Sequence, residues 1–289
     1  MLIDTIYSCC LNACRTFQKE REHFTALSAF LLALSREYGR IAKRHGLRPF
    51  GKTLHLRLRH SEIKLYLRTE ASDYSVFRQI FIENEYAPLD DLTSVATIVD
   101  CGANVGYSSL YFLNRFPQAH LIAIEPDPGN ALLCEQNLRP YGNRATVIKG
   151  AIWPQKARLA IVRGEYRDGG EWATQVQPLV TPSGSTMVVE GFDMPDILEM
   201  LKGPAIDILK IDIERSEIAL FGSDTKAWLS RVRNIAIELH DDECRRVFQE
   251  ALSSYNFGVQ HSGELTIIRN LQAASNVATP VLSQQKRDL

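Results

Sequence analysis

Three things are scarce in this chain of 289 residues. No apolar run approaches the 18 or so residues needed to cross a bilayer, so no transmembrane segment is expected. No block of lysine and arginine is dense enough to mark a nucleic-acid footprint, and the formal net charge is −1, so no nucleic-acid partner is expected. The six cysteines (Cys9, Cys10, Cys14, Cys101, Cys134 and Cys244) contain no CxxC pair and no framework spacing. They read as reduced thiols, which places the chain in a reducing compartment, the cytoplasm. The N-terminus "MLIDTIYSCCLNAC" lacks a basic stretch, so a secretory signal is not expected either. The composition, 45% hydrophobic and 23% charged, is that of a globular protein long enough for one large domain plus an appendage. A homo-oligomer stays open.

The periodicities divide the chain. Residues 16–45 carry Phe24, Leu27, Phe30, Leu31 and Leu34 at helical spacing, closed by Gly46 and Pro49. "KTLHLRLRHSEIKLYLRT" alternates like a β-hairpin. "SDYSVFRQIFIENEYAPL" returns to helical spacing, with Ser72 or Asp73 as N-cap and Pro88 as terminator. From residue 95, buried strands alternate with helices: "VATIVD", "AHLIAIEP", "ATVIKGAIW", "IDILKIDIE" and "VRNIAIELH" are the strands. "SEIALFGSDTKAWLSR" reads as one helix, and "FGVQHSGELTIIRN" as a hairpin turned at Ser262–Gly263. Such alternation predicts an α/β fold with a doubly wound, mostly parallel sheet. The expected organisation is a helix and hairpin cap over 1–75, a cofactor-binding domain over 76–271 and a polar tail over 272–289.

In a doubly wound sheet, ligands sit beyond the carboxyl ends of the strands. The first such end is "TIVDCGANVG", where Asp100 is followed by Gly102, Ala103, Asn104 and Gly106. Glycines there admit a tight turn and a ligand lying against the backbone. The next strand ends at Glu125 before Pro126, where a carboxylate can accept bonds from both hydroxyls of a ribose. A dinucleotide would want G-x-G-x-x-G, and this loop reads D-x-G-x-x-x-G. Asp100 would repel a pyrophosphate but suits the cationic amino-acid end of S-adenosylmethionine. The residues therefore favour that methyl donor. A nicotinamide oxidoreductase and a non-catalytic cofactor-binding module stand as alternatives.

"IVDCGANVGYSSL…IAIEPDP", "ILKIDIERSEIALF" and "NIAIELH", in that order, resemble the FkbM-type methyltransferases. The resemblance covers about residues 70–245. It implies a Rossmann-like class I methyltransferase with a seven-stranded sheet, a terminal antiparallel hairpin and O-methyl transfer to a sugar, glycan or glycosylated natural product. It also implies that Asp100, Gly102 and Gly106 line the cofactor's amino-acid end and Glu125 its ribose. Asn104 would hold the loop, and Gly150 and Ala151 would flank the adenine, with backbone or Trp153 as the contact. The chain departs from the family at Arg215–Ser216, where a small pair is usual. Arg215 either narrows the pocket or reaches an anionic group, or is simply solvated.

Side chains two apart on a strand share a face, so Lys210, Asp212 and Glu214 are expected on one side of their strand and Glu238 and His240 on one side of theirs, the two strand ends converging on the transferring methyl group. Three readings compete for this cluster. His240, or an acid beside it, is a general base with a neutral imidazole near working pH. Alternatively Asp212, Glu214, Glu238 and His240 bind a divalent metal. In the third reading Lys210 and the carboxylates are a structural ion-pair network. Glu217 opens the following helix, where its charge suits the helix dipole. The polar loop 165–176, with Trp172, is placed to act as a lid or an acceptor platform.

Overall fold

A computed structural model describes residues 2–46, 53–69, 71–162, 175–179, 187–201 and 203–274. Trp172, the tail beyond residue 274 and the side chains of Cys9 and Cys10 lie outside the described residues.

The N-terminal part is a helical pair, α1 (Leu2–Glu20) and α2 (Ala26–His45), followed by the antiparallel hairpin β1 (Thr53–Arg57) and β2 (Lys64–Arg68) and by α3 (Asp73–Phe81). The stripe of Phe24, Leu27, Phe30, Leu31 and Leu34 does not face the core as one face. Leu27, Phe30 and Leu34 are 69%, 53% and 46% exposed, while Phe24, Ala29 and Leu32 are buried. Edge bonds set this rotation: Thr25 donates its amide to Arg57 O, and Arg57 donates its amide to Ser28 Oγ. With the first turn of α2 pinned to β1, Ala29 and Leu32 turn inward against Leu56 and Phe77.

α3 also departs from expectation. Neither Ser72 nor Asp73 caps it through a side chain. Asp73 instead takes the Arg68 guanidinium, at 2.7 Å, and the Arg68 amide. The helix stops at Phe81, well before Pro88, which starts a 3-10 turn over Ala87–Leu89. The boundary expected at residue 75 falls inside α3, whose Phe77 and Ile80 share one core with Val105, Tyr107 and Leu110.

Next come β3 (Thr97–Cys101), α4 (Tyr107–Arg115), β4 (His120–Glu125), α5 (Pro128–Leu138) and β5 (Ala145–Lys149). The strand expected over 145–153 is broken at Gly150. A Cβ there would lie 2.6 Å from both Glu190 O and the Phe192 ring. That close approach turns the chain into β6 (Ala151–Ile152), which joins β7 (Ala157–Val162), β8 (Gln175–Pro178) and β9 (Val188–Phe192) in a small separate sheet ordered β6-β9-β7-β8.

The chain returns through α6 (Met194–Met200), β10 (Ile208–Ile211), α7 (Glu217–Phe221), α8 (Lys226–Leu229), β11 (Ile235–Glu238) and α9 (Asp242–Ala251). The single helix expected over 216–231 is two short ones, broken around Gly222–Ser223, where the Ser223 hydroxyl bonds Leu220 O. β12 (Tyr255–Ser262) and β13 (Leu265–Ala273) form the closing hairpin, which runs two residues past the expected domain end.

The main sheet has seven strands in the order β12-β13-β11-β10-β3-β4-β5. The five strands from β11 to β5 are parallel, and β13 pairs antiparallel with β11. Alternate residues feed two cores. Ile98, Leu121, Ile208 and Ala236 pack on one face, and Val99, Ile122, Leu209 and Ile235 on the other. Burial on both faces explains why these strands read as continuous apolar runs. The chain leaves β3 in one direction toward β4 and later enters β10 on its other side, so the carboxyl ends of β3 and β10 flank the switch point.

Candidate active site

The loop after β3 is shaped by three left-handed residues: Gly102 (φ +73°), Asn104 (φ +50°) and Gly106 (φ +85°). Gly102 and Ala103 both donate their amides to Ile124 O, at 2.9 and 3.0 Å. This folds the loop over the end of β4 and brings Glu125 under it. Glu125 Oε2 accepts the Asn104 amide and Oε1 the Asp127 amide, each at 2.8 Å. The hairpin helps hold the loop from outside. Asn137 accepts the Tyr66 amide at 2.6 Å and donates to Val105 O at 2.8 Å. Burial pushes the Glu125 carboxyl up to about 7, against the pull of its two amide donors.

A cavity of about 680 Å³ opens at the switch point. Gly102, Ala103, Asn104, Glu125, Pro126 and Ala151 are on its wall, as are Lys210, Asp212, Glu214 and Glu238. Five predicted residues are not: Asp100, Gly106, Gly150, Trp153 and His240. Gly106 sits where α4 meets α5, since a Cβ there would lie 2.8 Å from Cys134 Sγ. Gly150 turns the chain between sheets, and Ala151 and Ile152 take the wall position beside it. Trp153 is absent from the wall as well.

Asp100 is the clearest correction among these. It is fully buried and lies behind the wall. Its Oδ2 accepts the Ser108 and Ser109 hydroxyls, both at 2.6 Å, and its Oδ1 lies 3.3 Å from Lys210 Nζ. Asp100 and Lys210 are direct partners across β3 and β10, so each carboxylate–ammonium charge is spent inside the protein. Lys210 Nζ also donates to Gly102 O at 2.5 Å and lies 3.7 Å from Asp212. Burial alone would lower the Lys210 pKa. Asp100 and Asp212 overcome it and hold the ammonium well above its ordinary range. Lys210 is thus a fixed cation that ties the glycine loop to the acidic wall.

That wall is assembled by turns rather than by strand period. β10 ends at Ile211, and Glu214 and Arg215 then adopt left-handed backbone (φ +51° and +73°). β11 ends at Glu238, two residues before His240. The His240 side chain is fully buried, with Nε2 at 3.3 Å from Glu214, 3.6 Å from Asp212 and 3.7 Å from Glu238. On its other side, Nδ1 lies 3.5 Å from Glu217. Burial would lower the imidazole pKa, but Glu214, Glu217 and Asp212 raise it to about 11. A neutral imidazole working near pH 7 is therefore not what this site holds in the absence of a bound cation. His240 also stays off the cavity wall.

Several groups escaped the sequence reading. Glu217, in the first turn of α7, is fully buried, accepts the Ile213 amide at 2.9 Å and lies 3.5 Å from His240 Nδ1. Glu85 and Glu264 reach the wall from the segment after α3 and from the closing turn. Burial, then Glu264, Glu83 and Asp212, pushes the Glu85 carboxyl up to about 7. Burial and Asp212 push Glu238 up to about 8, against His240. No local pattern marks Glu85 and Glu264, since they meet the site only through tertiary packing. Arg215 turns away to Asp241, at 2.7 Å.

A doubly wound sheet with this strand order and an acid-walled cavity at its switch point defines a Rossmann-like class I methyltransferase fold. The profile of the Methyltransferase FkbM domain matches residues 100–267. Methyltransferase sdnD of Sordaria araneosa is 42% identical over 205 residues, covering 61% of this chain and 78% of that protein. Methyltransferase 1 of Beauveria bassiana is 25% identical over 187 residues, covering 58% and 74%. AMB antimetabolite synthetase AmbE of Pseudomonas aeruginosa is 25% identical over 206 residues, and this chain spans only 9% of its length. Among solved structures, TrmK of M. capricolum with S-adenosyl-homocysteine aligns at TM-score 0.38 and 11% identity, over 68% of this chain and 71% of that one.

The chain belongs to the FkbM methyltransferase family. S-adenosylmethionine is accordingly the cofactor, and the nicotinamide reading falls. The site fits it on its own terms. The volume lies within the usual range for small-molecule sites. Glu125 keeps acceptor capacity beyond its two amide donors, because a carboxylate has about four lone-pair sites. Among the described residues, no helix is long and apolar enough to cross a membrane.

Proposed function

We propose that the chain transfers the methyl group of S-adenosylmethionine to a hydroxyl oxygen of a sugar, glycan or glycosylated natural product. One observation carries this reading: Glu125 and the acidic wall face the same cavity from opposite sides of the switch point. Glu125 would accept the ribose hydroxyls, with Asn104 holding its carboxylate in place through the loop amide. Ala151 and Ile152 would flank the adenine. Lys210 would fix the floor between the two halves by gripping Gly102 O and Asp212.

The cofactor supplies an already activated methyl group. The acceptor oxygen bonds to the methyl carbon as the carbon–sulfur pair returns to sulfur, and the hydroxyl proton leaves to the acidic wall. Asp212, Glu214 and Glu238 are the carboxylates on that wall which also face His240. His240 acts as a positioning residue: its ring lies 3.3–3.7 Å from Glu214, Asp212 and Glu238, and its charge opposes the burial that raises the Glu238 carboxyl. Most of the rate would come from holding the two reactants in line.

The test is transfer from methyl-labelled S-adenosylmethionine to a panel of glycosides, amines and thiols. An alkali-stable methyl ether on a sugar hydroxyl is expected. Label found only on nitrogen or sulfur, or no transfer to any acceptor while the cofactor binds, would reject the proposal.

A further inference from the structure

We propose that Asp212, Glu238 and His240 bind one divalent metal ion beside the acceptor end of the cavity. One ligand atom from each lies within 4.8 Å of the others. Two carboxylates and one imidazole suit a hard or borderline cation such as Mg²⁺ or Mn²⁺.

An acidic cluster alone would not argue for a cation. The second observation is the ring of His240. Its side chain is fully buried, and neither ring nitrogen makes a hydrogen bond of acceptable geometry. A buried imidazole with both nitrogens unsatisfied is destabilising unless a ligand satisfies it. Oxygens of Glu214, Asp212 and Glu238 surround Nε2 at 3.3, 3.6 and 3.7 Å, and none makes a hydrogen bond to it.

The ring is also oriented as a ligand would be. Nδ1 points to Glu217, a fully buried carboxylate fixed by the Ile213 amide. Metal-ligating histidines usually give their other N–H to such a group, which sets the tautomer and leaves Nε2 for the ion. Nε2 here faces Asp212 and Glu238. Charge points the same way. Four carboxylates face one imidazole, and the nearby Lys210 is shared with Asp100. A doubly charged ion in place of the proton on Nε2 would offset more of that surplus. Asp212 and Glu238 line the cavity, so the ion would meet the acceptor and lower the pKa of a coordinated hydroxyl. That last role rests on the O-methyl reading; the binding itself does not.

The experiment is a titration of the full chain with Mn²⁺, without cofactor, followed by pulsed electron paramagnetic resonance. One saturable Mn²⁺ per chain is expected, with a nitrogen hyperfine coupling from a directly bonded imidazole. His240→Gln should abolish that coupling, and Asp212→Asn should weaken binding at least tenfold. Glu217→Gln should weaken it about 10- to 100-fold through the ring's orientation. Absence of saturable binding in the unaltered chain, or binding without nitrogen coupling, overturns the site without relying on any variant's folding. S-adenosylmethionine affinity measured on the same sample reads the functional proposal separately. Mn²⁺ with nitrogen coupling but no cofactor binding would support the ion site and count against methyl transfer.

Discussion

Gly102→Ala tests how the glycine loop is built. Two costs are expected, and they can be separated. The first is backbone: Gly102 sits at φ +73°, where an L side chain costs about 1–2 kcal/mol. The second is contact. A Cβ at this position would drive into the carbonyl oxygen of Asp212 and lie 2.9 Å from its carbonyl carbon. That carbonyl shares its peptide with the Ile213 amide, which is held by the buried Glu217 carboxylate at 2.9 Å, so it has little room to move. Forcing it aside is an overpacking event worth about 1–3 kcal/mol. The total is about 2–5 kcal/mol. Gly46 provides the control, with left-handed φ +64° and ψ +26° and nothing within 4 Å of its hypothetical Cβ. Gly46→Ala should lose only the backbone part. Equilibrium urea denaturation of both variants gives the comparison, and calorimetry with S-adenosylmethionine adds the functional side. Displacing Asp212 should weaken cofactor binding in Gly102→Ala and leave Gly46→Ala unaffected. Equal destabilisation of the two, with unchanged cofactor affinity, would refute the packing argument.

Further outcomes follow from the charged groups. Asp100→Ala strands the buried Lys210 ammonium and should cost about 3–5 kcal/mol in denaturant unfolding; a loss below 1 kcal/mol would mean the pair is not the anchor described. Burial holds the Glu125 carboxyl near 7, so cofactor affinity should fall as the pH drops below about 7, and Glu125→Gln should flatten that profile. The same shift has a stability sign. Between about 4.5 and 7 the folded chain keeps a proton the unfolded chain has lost, so this group's contribution declines as pH rises through that window, which melting across pH can follow. Glu238→Gln should lower kcat about 100- to 10,000-fold with little change in cofactor Kd; an unchanged kcat would remove it from the acidic wall's chemistry.

The sequence by itself determined the strand and helix alternation and the two strand ends that meet the cavity. Those signals are local. A strand buried on both faces must be apolar along its length, and glycine is the residue that adopts left-handed backbone at least cost. Where two local rules compete, the sequence misleads. The stripe of Leu27, Phe30 and Leu34 is a sound helical period, yet α2 is rotated by hydrogen bonds to β1, across 29 residues in the case of Ser28 and Arg57. Tertiary structure alone decided the charges. Asp100 looks like a ligand contact until Lys210 arrives from 110 positions away to neutralise it, and His240 looks like a base until Glu214, Glu217, Asp212 and Glu238 close around it. Protonation depends on what lies within a few ångströms in space, and spacing along the chain carries no record of that distance.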